Sequence, residues 1–114
     1  MNPAKQVLEE LRQPVGDLSE RAPGVLGDYD AISTAALADR ALDAKAKELI
    51  AMAIVMVKQG DGCIAAHGHG AAGRDAAGVE DAEALGVAIM MNGGPGTVHA
   101  PRPSAAFEQF AIKP

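Results

Sequence analysis

Cys63 and His67 are the two residues whose types and spacing most clearly indicate chemistry. They are four apart, so on a helix they lie on one face, about 6 Å apart along the axis. Asp61 is a predicted helix cap, which places Cys63 in the first turn, where backbone N–H groups favour an anion. A thiol in that position with a histidine one turn further on is typical of a nucleophile. The alternative is a buried, inert cysteine above an ordinary polar histidine.

Glu48 is the third candidate, and we expect it one turn into the preceding helix. If the two helices pack antiparallel, the 1.5 Å rise per residue places Glu48 level with residues beyond His67 rather than beside Cys63. We therefore expect Glu48 to hold the imidazole of His67, directly or through a water, while the imidazole faces the sulfur. The alternative is a solvated charge that balances Lys45 and Lys47 at the helix start.

Helices position all three candidates, because the composition is rich in alanine and only 3% aromatic, which suits tightly packed helices and disfavours strands. The sequence predicts an all-α fold of about six helices in a single domain spanning residues 1–114. The predicted helices run from Pro3 to near Pro14, from Pro23 through Ala36, from Ala44 to about Lys58, from Gly62 or Cys63 to about Ala77, from Glu80 to Asn92, and briefly after Pro103. One short strand is conceivable at Thr97–Val98.

The run Leu49–Val57 is apolar all round and must be covered on every side, by its own fold or by another subunit. It is far shorter than the roughly 20 residues that span a bilayer, so we predict a core helix and no membrane association. The N-terminus lacks the apolar stretch of a signal peptide, which predicts a reducing cytoplasm. With 10 basic and 15 acidic side chains, the net charge of −5 argues against a nucleic-acid partner.

No metal or other cofactor is predicted. Cys63, His67, His69 and His99 contain metal-ligating groups. However, residues two apart on a helix point about 200° apart, so His67 and His69 do not reach one ion without distortion. The segment 93–96, Gly-Gly-Pro-Gly, lacks the Lys-Ser/Thr of a phosphate-binding loop and is interpreted as a helix end.

The segment Leu42–Pro95 resembles the carboxymuconolactone decarboxylase-like family, and especially its alkylhydroperoxidase D (AhpD-like) branch. The similar stretches are LDAKAKELIA, CIAAH followed by Gly-Ala, and LGVAIMM before Gly-Gly-Pro. The pattern of that branch is Glu, eleven residues, Cys, two residues, Cys, three residues, His. Glu48, Cys63 and His67 are in register with its glutamate, second cysteine and histidine, whereas Gly60 stands in place of the first cysteine.

The resemblance implies a thiol-dependent peroxidase, an antioxidant oxidoreductase in which Cys63 is the peroxidatic thiol. His67 would hold the thiolate and shuttle the proton, and Glu48 would orient His67. In the family the first cysteine resolves the sulfenic acid, so with Gly60 an external thiol or protein reductant must do so. The resemblance further implies an all-helical homotrimer or hexamer with its site near subunit contacts.

Two other functions stay open. One is the non-redox acid–base chemistry of the decarboxylase branch, on a lactone or carboxylate, with Glu48 and His67 as acid and base and Cys63 incidental. The other is a catalytically degenerate oligomer that binds a small apolar ligand. Gly60 is compatible with both, and it could also be an introduced substitution.

Overall fold

The computed structural model describes residues 3–111, which form helices and connecting turns without a strand. The all-α prediction is confirmed. The seven helices in this range are α1 (Pro3–Arg21), α2 (Pro23–Leu37), α3 (Ala44–Lys58), α4 (Asp61–Gly73), α5 (Gly78–Asn92), α6 (Gly94–His99) and α7 (Pro101–Ala111).

The start of α3 is as the sequence predicts. Asp43 has extended backbone geometry, and its Oδ1 accepts a hydrogen bond from the backbone N–H of Ala46 at 2.8 Å. Such a cap stabilises a helix by about 1 kcal/mol because it satisfies one of the free N–H groups of the first turn. The helix ends at Lys58, after which Gln59 adopts a left-handed conformation.

The predicted end of α1 near Pro14 is wrong, because the helix continues through this residue to Arg21. A proline inside a helix removes one backbone donor and costs about 3 kcal/mol where nothing compensates. Here the surrounding turns are exposed, with Val15 and Leu18 about half accessible. Water can therefore reach the carbonyl that loses its partner.

Both predicted boundaries of α4 also need correction. Gly60 is the N-cap and Asp61 lies in the first turn, where its Oδ1 accepts from Arg102 Nη2 at 2.5 Å instead of capping the helix. The helix ends at Gly73 rather than Ala77. Asp75 has φ of 62°, and the next backbone N–H returns to the carbonyl of Ala71 at 3.1 Å, which closes the helix end.

The short strand considered at Thr97–Val98 is not formed, since both residues belong to α6. Gly93 adopts φ of 69° and Pro95 occupies the first turn, so the chain restarts as a helix immediately after α5. The hydroxyl of Thr97 donates to the carbonyl of Gly94 at 2.7 Å. This local hydrogen bond outweighs the strand preference of two β-branched residues.

The core consists of two neighbouring clusters of small and flexible side chains. The larger joins α1, α3, α4 and α7 around Met52 and Phe107, both fully buried, and the smaller joins α3, α5 and α6 around Met56 and Leu85. At Gly68 the backbones of α4 and α7 approach closely, because a Cβ atom there would lie 3.2 Å from Phe107 N. Glycine at this position thus permits the close contact between α4 and α7.

The apolar helix α3 is covered on one side only. Met52, Val55 and Met56 are buried, whereas Ile50, Ile54 and Val57, at spacings of four and three, are each about half exposed. One face of α2 is likewise apolar and exposed. Its residues Val25, Tyr29 and Ile32 have 70%, 60% and 65% of their surface accessible, so contacts within one chain leave this face uncovered. No helix within residues 3–111 is long and apolar enough to cross a membrane.

Candidate functional site

One face of α4 carries the two sequence-predicted residues of this helix. Cys63, His67, Gly70 and Arg74 follow at spacings of four, three and four, which places them in one row along the helix. Cys63 lies in the first turn and is exposed. The alternative of a buried thiol is therefore wrong, and the sulfur is accessible to a reactant in solution.

Glu48 reaches this row from α3. Its side chain is only 3% exposed, and its Oε1 lies 2.9 Å from Nδ1 of His67. The predicted contact between glutamate and imidazole is thus present as a direct one. The alternative of a solvated charge is wrong, because Lys45 pairs with Glu80 and Lys47 donates to the carbonyl of Ala38.

Gly70 provides the space in which the carboxylate of Glu48 lies. A Cβ atom at position 70 would be 1.4 Å from Glu48 Oε2 and 2.6 Å from its Cδ, which no side chain tolerates without displacing the carboxylate. Gly73, on the same helix, has no atom within 4 Å of the corresponding position. The glycine at position 70 is therefore required for this position of the carboxylate between the two helices.

The second oxygen of Glu48 faces a cation that the sequence analysis missed. Arg74, immediately after α4, places Nη1 3.7 Å from Glu48 Oε2. The same nitrogen lies 3.5 Å from the carbonyl of Gly70. In the sequence, Arg74 is an ordinary basic residue at a helix end, and its spacing from Cys63 and His67 was the one available signal.

His67 is oriented by this arrangement, because the hydrogen bond of one ring nitrogen determines which nitrogen carries the proton. With Nδ1 donating to Glu48, Nε2 is the nitrogen that remains for proton exchange. No hydrogen bond within residues 3–111 joins His67 to Cys63. The predicted link between thiol and imidazole, and the catalytic roles of all three residues, stay predictions.

His69 lies apart from this row. His69 is exposed, and its ring meets Phe110 edge to face with centroids 4.9 Å apart. His67 and His69 thus diverge, as their spacing predicts. Across the described part of the chain, no three His, Cys, Asp or Glu side chains are grouped to hold a metal ion.

Gly60 is the N-cap of α4, with φ of −80° and ψ of 119°, a conformation that any residue adopts. A Cβ atom at this position would lie 4.0 Å from Cys63 Cβ. The Cβ–Cβ distance in disulfides is about 3.5–4.5 Å. The backbone therefore has the geometry of a Cys-x-x-Cys pair although the first cysteine is absent.

The site consists of an exposed thiol at the start of α4 and a Glu–His pair that links α4 to the preceding helix, α3. The chain belongs to the carboxymuconolactone decarboxylase family, whose model matches residues 23–104. This match extends beyond both ends of the segment Leu42–Pro95, which carries the similar stretches.

A solved structure from the same family and two uncharacterized proteins are similar to this chain over most of its length. The crystal structure of an apo carboxymuconolactone decarboxylase family protein from Legionella pneumophila is 32% identical, has a TM-score of 0.92, and aligns over 98% of this chain and 100% of its own. An uncharacterized protein of Cupriavidus necator is 34% identical over 104 residues, which is 91% of this chain and 92% of the relative. Uncharacterized protein 4 in the cox locus of Paracoccus denitrificans is 33% identical, over 84% of this chain and 86% of its own.

Proposed function

We propose that this chain is a thiol-dependent peroxidase of the alkylhydroperoxidase type, with Cys63 as the peroxidatic thiol. The observation that carries the proposal is the Glu48–His67 contact at 2.9 Å on the helix face where Cys63 is exposed one turn earlier. An oriented base one helical turn from an accessible thiol, itself in the first turn of a helix, is an arrangement suited to thiol activation.

The reaction follows from these roles. His67 Nε2 takes the proton of Cys63, and the thiolate attacks the terminal oxygen of a hydroperoxide. As the S–O bond forms and the O–O bond breaks, the leaving alkoxide takes the proton from the imidazolium and departs as an alcohol. The sulfur is oxidised by two electrons to a sulfenic acid, and the peroxide is reduced. Glu48 stabilises the transient imidazolium.

The cycle closes with an external reductant, because Gly60 supplies no resolving thiol. An external thiol or protein thiol condenses with the sulfenic acid to a mixed disulfide and releases water. A second thiol then attacks this disulfide and frees Cys63. Such a reductant is available in a reducing cytoplasm, which is where we propose the protein acts.

Assembly as a homotrimer or hexamer is part of the proposal. The exposed apolar residues of α2 and α3 described above are joined on α5 by Val87, Met90 and Met91, which are 59%, 71% and 75% exposed. Apolar surface of this extent marks an interface. Light scattering should give a mass of three or six chains, and Ile54→Glu should reduce it while the control Val98→Glu, at an exposed position of α6 outside these faces, does not. A wild-type monomer would contradict this part of the proposal.

Mass spectrometry after one equivalent of hydrogen peroxide or an alkyl hydroperoxide tests the function. We expect rapid sulfenylation at Cys63, trapped by a dimedone probe, and none in Cys63→Ser. His67→Gln should slow it about tenfold or more, since positioned acid–base groups contribute about 10²–10⁴-fold. His69→Gln is the matched control on the same helix and should react like the wild type. An unreactive thiol in the wild type would contradict the proposal.

Gly60→Cys tests the relation to the AhpD-like branch. Since the Cβ atoms of positions 60 and 63 would lie 4.0 Å apart, peroxide should convert this variant to an intramolecular disulfide, and the dimedone adduct should disappear. Gly73→Cys, far along α4, is the control and should retain the adduct. A Gly60→Cys variant that keeps both thiols free after peroxide would contradict the expected geometry.

A second candidate function is acid–base chemistry of the decarboxylase type on a lactone or carboxylate. It is favoured by one observation, namely that the Glu48–His67 pair forms without any hydrogen bond to Cys63. In that case Cys63→Ala should retain turnover of a lactone substrate and His67→Ala should lose it. Loss of turnover in Cys63→Ala would favour the peroxidase instead.

A further inference from the structure

We infer that Arg74 is a positioning residue, which acts through Glu48 to fix the imidazole of His67. Arg74 Nη1 lies 3.7 Å from Glu48 Oε2, while His67 Nδ1 lies 2.9 Å from Oε1 of the same carboxylate. The two partners therefore contact opposite oxygens of one buried group. This inference rests on the proposed function for its catalytic consequence but not for its geometry.

The carboxylate needs a permanent cation because it is almost completely buried. Removing an ionised carboxylate from water is costly unless it is paired and hydrogen-bonded. His67 carries a positive charge only when protonated, whereas the guanidinium of Arg74 is always charged. In the proposed reaction His67 gains and loses a proton, so Arg74 is the partner whose charge stays constant through the cycle.

Arg74 also holds the carboxylate of Glu48 in the orientation that directs one oxygen at the imidazole. Because Oε2 is directed towards the guanidinium and occupies the space left by Gly70, Oε1 remains for Nδ1. The hydrogen bond at Nδ1 favours the tautomer with its proton on that nitrogen, which leaves Nε2 unprotonated. Without Arg74 the carboxylate can rotate, and the tautomer preference should weaken.

The test compares Arg74→Met, Arg74→Lys and the control Arg12→Met, in which an exposed pair with Glu9 is removed from α1. Two readouts are measured: the ring ¹⁵N–¹H spectrum of His67, and the rate of Cys63 alkylation by iodoacetamide across neutral pH. Arg74→Met should lower the population protonated at Nδ1 and slow alkylation by about two- to fivefold, the range of a partly exposed ion pair. Arg74→Lys should restore at least half of both effects, and Arg12→Met should match the wild type.

The inference is overturned if Arg74→Met leaves both readouts at wild-type values, or if Arg74→Lys is as impaired as Arg74→Met. Arg74 is 41% exposed, so each variant should fold, and Arg74→Gln provides a second neutral side chain if Arg74→Met aggregates. A changed His67 spectrum in a protein that does not react with peroxide would support the positioning role and contradict the peroxidase. A peroxide-reactive wild type with an unaffected Arg74→Met variant would support the peroxidase and contradict the positioning role.

Discussion

Glu48 and Asp81 are both buried carboxylates, at 3% and 1% exposure, but their surroundings differ. Both oxygens of Glu48 face a nitrogen, from His67 on one side and Arg74 on the other. Asp81, in the first turn of α5, has a buried Oδ1 without a hydrogen-bond partner within the described residues. For Glu48, burial is combined with donors at both oxygens, so the carboxylate is oriented. For Asp81, burial without such donors gives a carboxyl group that is costly to ionise.

The pKa of Asp81 expresses this cost. Desolvation, with a smaller contribution from the negative charge of Glu108, raises the pKa of Asp81 to about 7. The folded protein therefore binds this proton more tightly than the unfolded chain, in which an ordinary aspartate titrates near 4. The comparison teaches that equally deep burial gives an oriented, paired carboxylate only where donors are directed at its oxygens.

The largest expected effect is on stability. Because the pKa of Asp81 is higher in the folded state, the free energy of unfolding should fall as pH rises from about 4 to about 7, and the cost persists above that range. The slope is at most about 1.4 kcal/mol per pH unit, which gives about 4 kcal/mol in total. Asp81→Asn should flatten the profile and stabilise the protein at mildly alkaline pH. Urea unfolding across this range measures it.

The control for this prediction is Asp30→Asn, at an exposed position on α2, which should keep the wild-type pH dependence. A wild-type protein whose stability rises steadily from acidic to neutral pH, with Asp81→Asn behaving identically, would show that Asp81 ionises at low cost and that the contrast with Glu48 is wrong.

The second prediction exchanges the two carboxylates for their amides and measures reaction rather than stability. Glu48→Gln removes the charge that pairs with Arg74 and stabilises the imidazolium of His67, so peroxide oxidation of Cys63 should slow about tenfold or more. Asp81→Asn should stay within about twofold of the wild type at mildly acidic pH, where the wild-type carboxyl is mainly protonated. Equal loss in both variants would mean that the rate follows general packing.

The third and smallest effect concerns Gly70 and Gly73 of α4. Alanine is favoured over glycine in a helix by up to about 1 kcal/mol, so Gly73→Ala should be neutral or slightly stabilising. At Gly70 the new Cβ must displace the carboxylate of Glu48, so that gain should be lost along with the His67–Glu48 contact. Urea unfolding and the ring spectrum of His67 measure the two effects. A Gly70→Ala variant with an unchanged His67 spectrum would contradict the assigned role of the glycine.

The sequence predicts much of the fold because its helix boundaries have local chemical causes. The helix starts at Pro23 and Ala44 are predicted from the sequence and are confirmed. Pro14 and Thr97 mislead because solvent exposure and a local hydroxyl contact decide their conformations. Exposure depends on how the chain is placed, and the hydroxyl contact is a local one that β-branched side chains alone do not reveal.

The candidate site, too, could be predicted from the sequence only in part. The contact between Glu48 and His67 follows from helix rise and antiparallel packing, and it is present as predicted. Arg74 and Asp81 were not found, because an arginine after a helix and an aspartate in a first turn are common at exposed positions. Only tertiary packing, of α3 against α4 for Arg74 and of α5 against α3 and α7 for Asp81, decides that the arginine faces a buried charge and that the aspartate is buried.

The most direct test of the central claim is the rate of Cys63 alkylation by iodoacetamide near neutral pH, since it needs no assumed substrate. If an oriented His67 activates the thiol, the folded wild type should react several times faster than the same chain in urea, and His67→Gln should lose this advantage while His69→Gln keeps it. A folded wild type that reacts no faster than the unfolded chain, and no faster than His67→Gln, would contradict the claim.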